Sequence, residues 1–319
     1  MNRSSEDLRI RKLRPAKRPL DPWRPIGVQQ EEERNAEGDL VPCQTIFLTG
    51  RECPFTCVFC DLWQYTLDDP TPSGAIPAQI SRAFEEFGRS PDGATIKLYN
   101  ASNFCDDKAV PRADWPAIAE LLSSFSRIVV ECHPRLVNER CVEFAERLEG
   151  RLEIAMGLET VHPVSLPRLN KKLTLESFGR AASLLRSFGV GIRSFVLVGA
   201  PYIPAVETVE WAVRSVDHAL ECGSEVVSLI PVRGGIGELQ RLADLGAFCP
   251  PTAQQLEAAL DGALRLNRGI VLADLWDAQS LAGCTTCRSA RIERMEQLNR
   301  VGGCLPPVAC PVCDHGDPL

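Results

Sequence analysis

The sequence predicts an α/β protein built on a parallel sheet. Three observations carry that reading. From about residue 44, short β-branched runs alternate with longer amphipathic ones. The strand-like runs are almost continuously apolar, as in strands covered by helices on their faces. Polar and reactive residues gather where each run ends, the position at which parallel α/β proteins carry their chemistry.

The expected strands, in order, are "QTIFLTG" (44–50), "ATIKLYNA" (94–101), "RIVVECHP" (127–134), "RLEIAMGLE" (151–159), "VGIRSFVLVG" (190–199) and "SEVVSLIPV" (224–232). Between them stand helical segments: "PAQISRAFEEFG", "WPAIAELLSSF", "NERCVEFAERLEG", "TLESFGRAASLLRSFG" and "AVETVEWAVRSVDHALECG". Asn138 and Thr174 are good N-caps, and Gly150, Gly189 and Gly223 are good stops. Six units are too few for a closed eight-fold barrel, so an open barrel or a doubly wound sheet fits the count. "QLEAALDGALRLN" and "GIVLAD" (269–274) extend the series by one. After residue 280 the apolar period fades and cysteines return, which predicts a boundary there.

The 319 residues, 45% hydrophobic, suffice for one large domain with a small appendage. No apolar run approaches membrane-spanning length, and no secretory h-region opens the chain, so a cytoplasmic protein without membrane contact is expected. Fourteen cysteines there point to metal or catalytic chemistry rather than disulfides. A net charge of −7 argues against a generic basic nucleic-acid surface. One basic run, "RIRKLRPAKRP" (9–19), precedes the acidic "QQEEERNAEGD". Residues 1–41 are accordingly expected to form a flexible arm, solvated or touching a polyanion such as RNA.

Directly after the first strand, "CPFTCVFC" sets Cys53, Cys57 and Cys60 in one loop. A closed zinc site wants four ligands, and Cys43 precedes the strand, at the expected opposite end. In an iron–sulfur cube each iron takes its own ligand, so three thiolates leave one iron open.

This spacing and placement resemble the radical S-adenosylmethionine (SAM) superfamily over residues 42–280. "VECHPRLV" is similar to a segment after the third strand in the elongator-type branch. "KLYNASNFCDD", "MGLETVHPVSLPRLNKKLTLESFGRAASLLRSFGV" and "LIPVRGGIGELQRLADLGAFCPPT" are similar to the archaeosine-synthase radical-SAM subunit. The resemblance implies a partial (β/α)6-type barrel. It also implies a 4Fe–4S cluster on Cys53, Cys57 and Cys60, whose open iron is chelated by SAM. Reductive cleavage of SAM then yields a 5′-deoxyadenosyl radical that abstracts hydrogen from substrate. A ferredoxin or flavodoxin would supply the electron.

By the same resemblance, Phe59 lies near adenine, "VLVGAP" lines the adenine pocket and Glu159 binds the ribose hydroxyls. Asn100, Ala101 and Ser102 stand where the family often carries a Gly-Glu pair for the SAM amino group. Arg193 is a candidate for the SAM carboxylate or for a structural acid. His133, Arg135, Tyr202 and Arg233 point towards the substrate space, and Cys105 and Cys132 read as hydrogen donors, spare ligands or small apolar residues.

Residues 281–319 form the expected cysteine-rich extension. Cys284, Cys287, Cys310 and Cys313 make two Cys-x2-Cys pairs, with Cys304 and His315 as further candidates. Such a pair set is a strong metal signal, for zinc or an auxiliary 4Fe–4S cluster. The leading function is a radical SAM enzyme acting on a modified tRNA nucleoside or a small molecule. The rival is a non-catalytic zinc-binding, partner-recognition protein on a degenerate barrel.

Overall fold

The structure is a computed structural model that describes residues 4–313. A single curled sheet takes eight strands in sequence order: β1 (Gly27–Arg34), β2 (Leu40–Phe47), β3 (Thr95–Tyr99), β4 (Arg127–Glu131), β5 (Arg151–Glu159), β6 (Gly191–Val198), β7 (Val226–Pro231) and β8 (Ile270–Ala273). Strands β2 to β8 are parallel, and β1 pairs antiparallel with β2 from Gly27↔Phe47 to Arg34↔Leu40. The helices are α1 (Ser5–Lys12), α2 (Ala75–Phe87), α3 (Trp115–Leu121), α4 (Glu139–Ala145), α5 (Ser165–Arg168), α6 (Leu175–Ser187), α7 (Thr208–Glu221), α8 (Gly237–Asp244), α9 (Ala253–Leu264) and α10 (Arg288–Val301). All six expected strands form, with "GIVLAD" as β8. Among the described residues no helix is long and apolar enough to cross a membrane.

Alternation along the strands divides the protein into two layers. Ile46, Leu98, Val130, Ile154, Val196 and Leu229 face outward, in one core with Ile76 and Ile80 of α2, Trp115 of α3, Phe144 of α4 and Phe178 of α6. Each such side chain, fully buried, stabilises the fold by about 1.5–3 kcal/mol. The helix starts follow their caps: Asn138 accepts from Arg140 N–H, and Thr174 closes a capping box with Ser177.

The inward face is charged at its lower end. Arg193 Nε donates to Glu153 at 2.7 Å and its Nη2 to Glu33 at 2.8 Å. Lys97 pairs with Glu33 and Glu31, and Arg127 with Glu153 (3.0 Å) and Glu37 (2.8 Å). Lys97, Arg127, Glu153 and Arg193 are all buried. Burial would raise the Glu33 carboxyl, but Arg193 and Lys97 outweigh it and hold it at about 2.

Two boundaries differ from expectation. Instead of a loose arm, residues 5–41 contribute a docked helix and the first strand. Helix α1 buries Ile10, its Arg9 pairs with Glu238, and Arg11, Arg14 and Lys17 converge on Glu52 at 2.8 Å each. The basic run is thus largely consumed by acids of the barrel mouth. The acidic run becomes β1, whose Glu31 and Glu33 are the counter-charges of the barrel interior. At the other end α10 is part of the main core through Ile292, Met295 and Leu298. It packs on α9 and on both β8 and β1, the two ends of the open sheet. There Asn299 bonds both backbone groups of Ala273 at 2.8 Å, and Arg300 reaches Glu32 at 2.9 Å.

Candidate active site

The cysteine loop follows β2 and is pinned by its surroundings. Glu52 N–H donates to Leu67 O (2.9 Å), Leu67 N–H to Gly50 O (2.8 Å) and Val58 N–H to Leu169 O (3.0 Å). Buried Asn170 donates to Thr56 O (2.8 Å), Thr56 Oγ1 (2.9 Å) and Asp7 of α1 (2.9 Å). Burial pushes the thiols of Cys53, Cys57 and Cys60 up, Cys60 to about 12, while the Lys171 ammonium opposes the shift at Cys53 and Cys57. Three thiolates here therefore need a bound cation. Among the described residues, the close thiol groups, with sulfurs all within 4.8 Å, are two others. A wider spread suits a cluster, in which each thiolate binds its own iron.

Neighbouring strand ends build a polar wall. Asn100 is fully buried with neither Nδ2 nor Oδ1 partnered, and Ser102 Oγ is buried and unpartnered too. Each such group costs about 1–3 kcal/mol unless something binds it. Glu131, at the end of β4, accepts Ala101 N–H at 3.1 Å. Burial raises its carboxyl to about 7, against N–H bonds from Ala101 and Asn100. It has no ion-pair partner among the described residues. Glu159, ending β5, pairs with Lys171 Nζ at 2.7 Å, both groups buried. Gly157 makes that fold-back possible, because a Cβ there would fall on the Glu159 carboxylate and 2.6 Å from Lys171 Nζ. Ala101, Glu159, Asn170 and Lys172 all adopt positive φ, between 53° and 68°. Each costs about 1–2 kcal/mol, strain concentrated around one pocket.

His133 stacks on Phe55 at 3.8 Å. Its Nδ1 accepts Arg135 N–H (3.1 Å), so Nε2 carries the proton donated to Lys171 O (2.9 Å). Burial, with Lys171 nearby, lowers it to about 2 and keeps it neutral. Asn103 joins this brace to the cysteine loop, bonding His133 N–H (2.6 Å) and Cys53 Sγ (3.3 Å).

No protein-family model matches the chain. An uncharacterized protein of Methanocaldococcus jannaschii is 23% identical over 223 residues, 66% of this chain and 61% of that protein. The archaeosine synthase subunit beta of Methanosarcina acetivorans is 23% identical over 202 residues, 61% of this chain and 58% of that one. That of Thermococcus kodakarensis is 25% identical over 151 residues, covering 46% and 47%. The chain thus spans about three fifths of the first two relatives and half of the third. Among solved structures, the archaeal Methanocaldococcus infernus Elp3, lacking its N-terminus, superposes with a TM-score of 0.51 at 14% identity, over 70% of this chain and 58% of that one. The chain resembles the elongator and archaeosine-synthase branch of the radical SAM superfamily.

Against that branch's pattern, most expected residues come together. Cys53, Cys57, Cys60, Asn100, Ala101, Ser102 and Glu159 share the mouth of the barrel. Phe59 packs in one apolar cluster with Leu197 and Ala200 of "VLVGAP". Arg193 does not join them. It stands beside Ala155 in the sheet register, lower in the barrel than Glu159, and is committed to Glu153 and Glu33. Its position along β6 decides this, because its side chain opens onto the charged floor. Tyr202 lies under Arg168 (3.7 Å) and Arg233 reaches Asp274 (3.4 Å), while Arg135 is exposed beside Lys172 O. Reading the sequence missed Asn103, Glu131, Lys171 and Phe55. Glu131 carried a signal as the acid of "VECHPRLV", the segment similar to the elongator-type branch, but was given no role.

The second cysteine site is compact. Cys284, Cys287, Cys310 and Cys313 hold their sulfurs within 4.8 Å, with Cys284–Cys310 at 3.9 Å and Cys287–Cys313 at 3.8 Å. Backbone N–H bonds from Cys287 and Thr286 pull the Cys284 thiol down to about 6. Arg291 Nε donates to Cys287 Sγ at 3.1 Å and also pairs with Glu257 of α9. Cys304 is exposed and outside the set, and His315 lies outside the described residues. A third group, Cys105, Cys132 and Cys141, is buried in the apolar core among residues such as Phe104 and Phe144. Their burial suits small apolar residues, and the approach of their sulfurs within 4.8 Å equally suits spare ligands.

Proposed function

We propose that the chain is a radical SAM enzyme. The observation that carries this is the meeting of two incomplete sets: three cysteines lacking a fourth ligand, and, at the neighbouring strand ends, the unpartnered side chains of Asn100 and Ser102 with Glu131, which has no ion pair among the described residues. The chemistry supplied by a cluster on Cys53, Cys57 and Cys60 is one-electron reduction of SAM to methionine and a 5′-deoxyadenosyl radical, which takes a hydrogen atom from substrate. The chain's own residues bind and orient. Glu131 receives the ammonium of SAM, the role left open by the absence of an acid in residues 100–102. Asn100 and Ser102 supply neutral hydrogen bonds beside it. Glu159, held by Lys171, accepts from the ribose hydroxyls. Phe59, Leu197 and Ala200 offer adenine an apolar wall. The substrate is a modified tRNA nucleoside or a small molecule, and the electron donor a ferredoxin or flavodoxin. The names of the archaeosine synthase relatives, which are subunits, support a partner chain as well. Anaerobic reconstitution with iron and sulfide, then reduction with SAM present, tests the proposal by release of 5′-deoxyadenosine. A well-loaded cluster yielding none, with candidate substrates present, would refute it.

The Glu131 assignment predicts a pH profile. Below about pH 7 the buried carboxyl is protonated and cannot pair with an ammonium. SAM affinity should therefore rise about tenfold per unit as pH climbs towards 7, and fall above about 8, where an α-amine loses its proton. Calorimetric titration of Glu131→Gln should give weaker binding and no rise below pH 7. A rise that survives the substitution would remove Glu131 from the site.

We further propose that the four C-terminal cysteines hold one zinc ion. Four sulfurs at 2.3 Å around a tetrahedral zinc stand about 3.8 Å apart, close to the separations of 3.8 and 3.9 Å. A cube would hold them wider. Elemental analysis should give one zinc per chain, falling to below a tenth of that in Cys284→Ser/Cys313→Ser. Four additional irons instead would identify an auxiliary cluster.

A further inference from the structure

We infer that Asn103 is an outer hydrogen-bond donor that sets the reduction potential of the metal centre held by Cys53. This rests on the cluster reading above and adds to it a residue that binds neither the iron nor SAM.

Asn103 is fully buried in the loop that follows β3. Its orientation is dictated by its neighbours. The backbone N–H of His133 can only donate, so the amide oxygen of Asn103 must face it, at 2.6 Å. The amide nitrogen is thereby turned onto Cys53 Sγ at 3.3 Å. His133 cannot drift, since its ring stacks on Phe55, its Nδ1 accepts Arg135 N–H and its Nε2 bonds Lys171 O. Phe55 lies between Cys53 and Cys57, so the brace returns to the same loop it supports. Among the described residues, no other side-chain hydrogen bond reaches the sulfurs of Cys53, Cys57 or Cys60. The Asn103 N–H is therefore a fixed side-chain donor on Cys53, beside the backbone N–H of Phe55 that the same sulfur accepts.

A donor on a ligating thiolate stabilises the more electron-rich, reduced centre and raises its potential. The bond is present in both oxidation states, and it moves the potential by the amount that it strengthens on reduction. Without it, the ratio of reduced to oxidised centre at a fixed ambient potential should fall about tenfold, which is 59 mV for a one-electron couple. Asn103→Asp keeps the acceptor for His133 N–H but loses the donor and adds negative charge. Asn103→Leu loses the donor without adding charge.

The test is a redox titration of the reconstituted full-length chain, followed by electron paramagnetic resonance. Wild type, Asn103→Leu and Asn103→Asp should load equal iron, with the reduced fraction falling about tenfold in Asn103→Leu and further in Asn103→Asp. Equal iron with unchanged midpoints would overturn the inference and leave the cluster reading standing. Absence of a cluster in the wild type would defeat the cluster reading itself. Should the variants fail to assemble, wild-type chain with 15N-labelled asparagine decides by pulsed resonance. A 15N coupling to the reduced centre supports the bond, and no coupling overturns it.

Discussion

Replacing Cys57 by alanine is expected to abolish both cluster loading and 5′-deoxyadenosine release, to the level of a blank without protein. Cys57 is the middle cysteine of the loop, and the Lys171 ammonium opposes the burial that pushes its thiol up. The other described cysteines of the barrel lie elsewhere. Cys43 is buried on β2 beside the charged floor, and Cys105, Cys132 and Cys141 lie in the outer apolar layer. Iron content after anaerobic reconstitution and chromatographic assay of the nucleoside check the two losses separately. Retention of both would mean that the triad is not the redox centre. Uptake of zinc alone by the wild-type loop would favour the non-catalytic reading.

Arg193→Ala is expected to damage stability rather than SAM binding. The guanidinium is 2% exposed and joins two acids, Glu153 and Glu33. Removing it leaves Glu153 to Arg127 alone and Glu33 to Lys97 alone, a loss of about 3 kcal/mol from a buried charge network. Denaturant unfolding should report that loss, while SAM affinity measured on the folded protein stays within about twofold. Arg193→Met combined with Glu153→Gln removes charge from both sides and should recover part of the stability. Lost SAM affinity with unchanged stability would return Arg193 to the binding site, where the family pattern had put it.

The contrast between these two residues marks how far the sequence could be read. Cys53, Cys57 and Cys60 were legible because their chemistry is local: spacing and position after one strand suffice. The parallel strands were legible for the same reason, through their apolar runs. Glu31 and Glu33 were not. They looked like part of a solvated acidic run, and the cations that pair with them, Lys97 and Arg193, lie far along the chain. Even so, "NAEGD" carried a local sign of the hairpin between β1 and β2. Asn35 accepts from Glu37 and Asp39 N–H, and Gly38 takes a positive φ of 89°. Helix α1 was hidden in the same way, since its docking depends on Glu52 and Glu238. Asn103 and Lys171 stood inside segments similar to the archaeosine-synthase subunit, but nothing there gave them a role, because their roles exist only once three loops converge.

The charged floor has a consequence for traffic. Lys97, Arg127, Arg193 and their acids fill the barrel's lower interior with groups that a passing molecule would have to unpair. Among the described residues, that crowding leaves the cysteine end as the side on which a pocket forms, and α1 lies at its rim, with Ile10 lining the pocket beside Cys57 and Cys60. A molecule bound there would sit under the helix, so its arrival and departure would depend on the contacts that dock α1 as well as on the pocket itself.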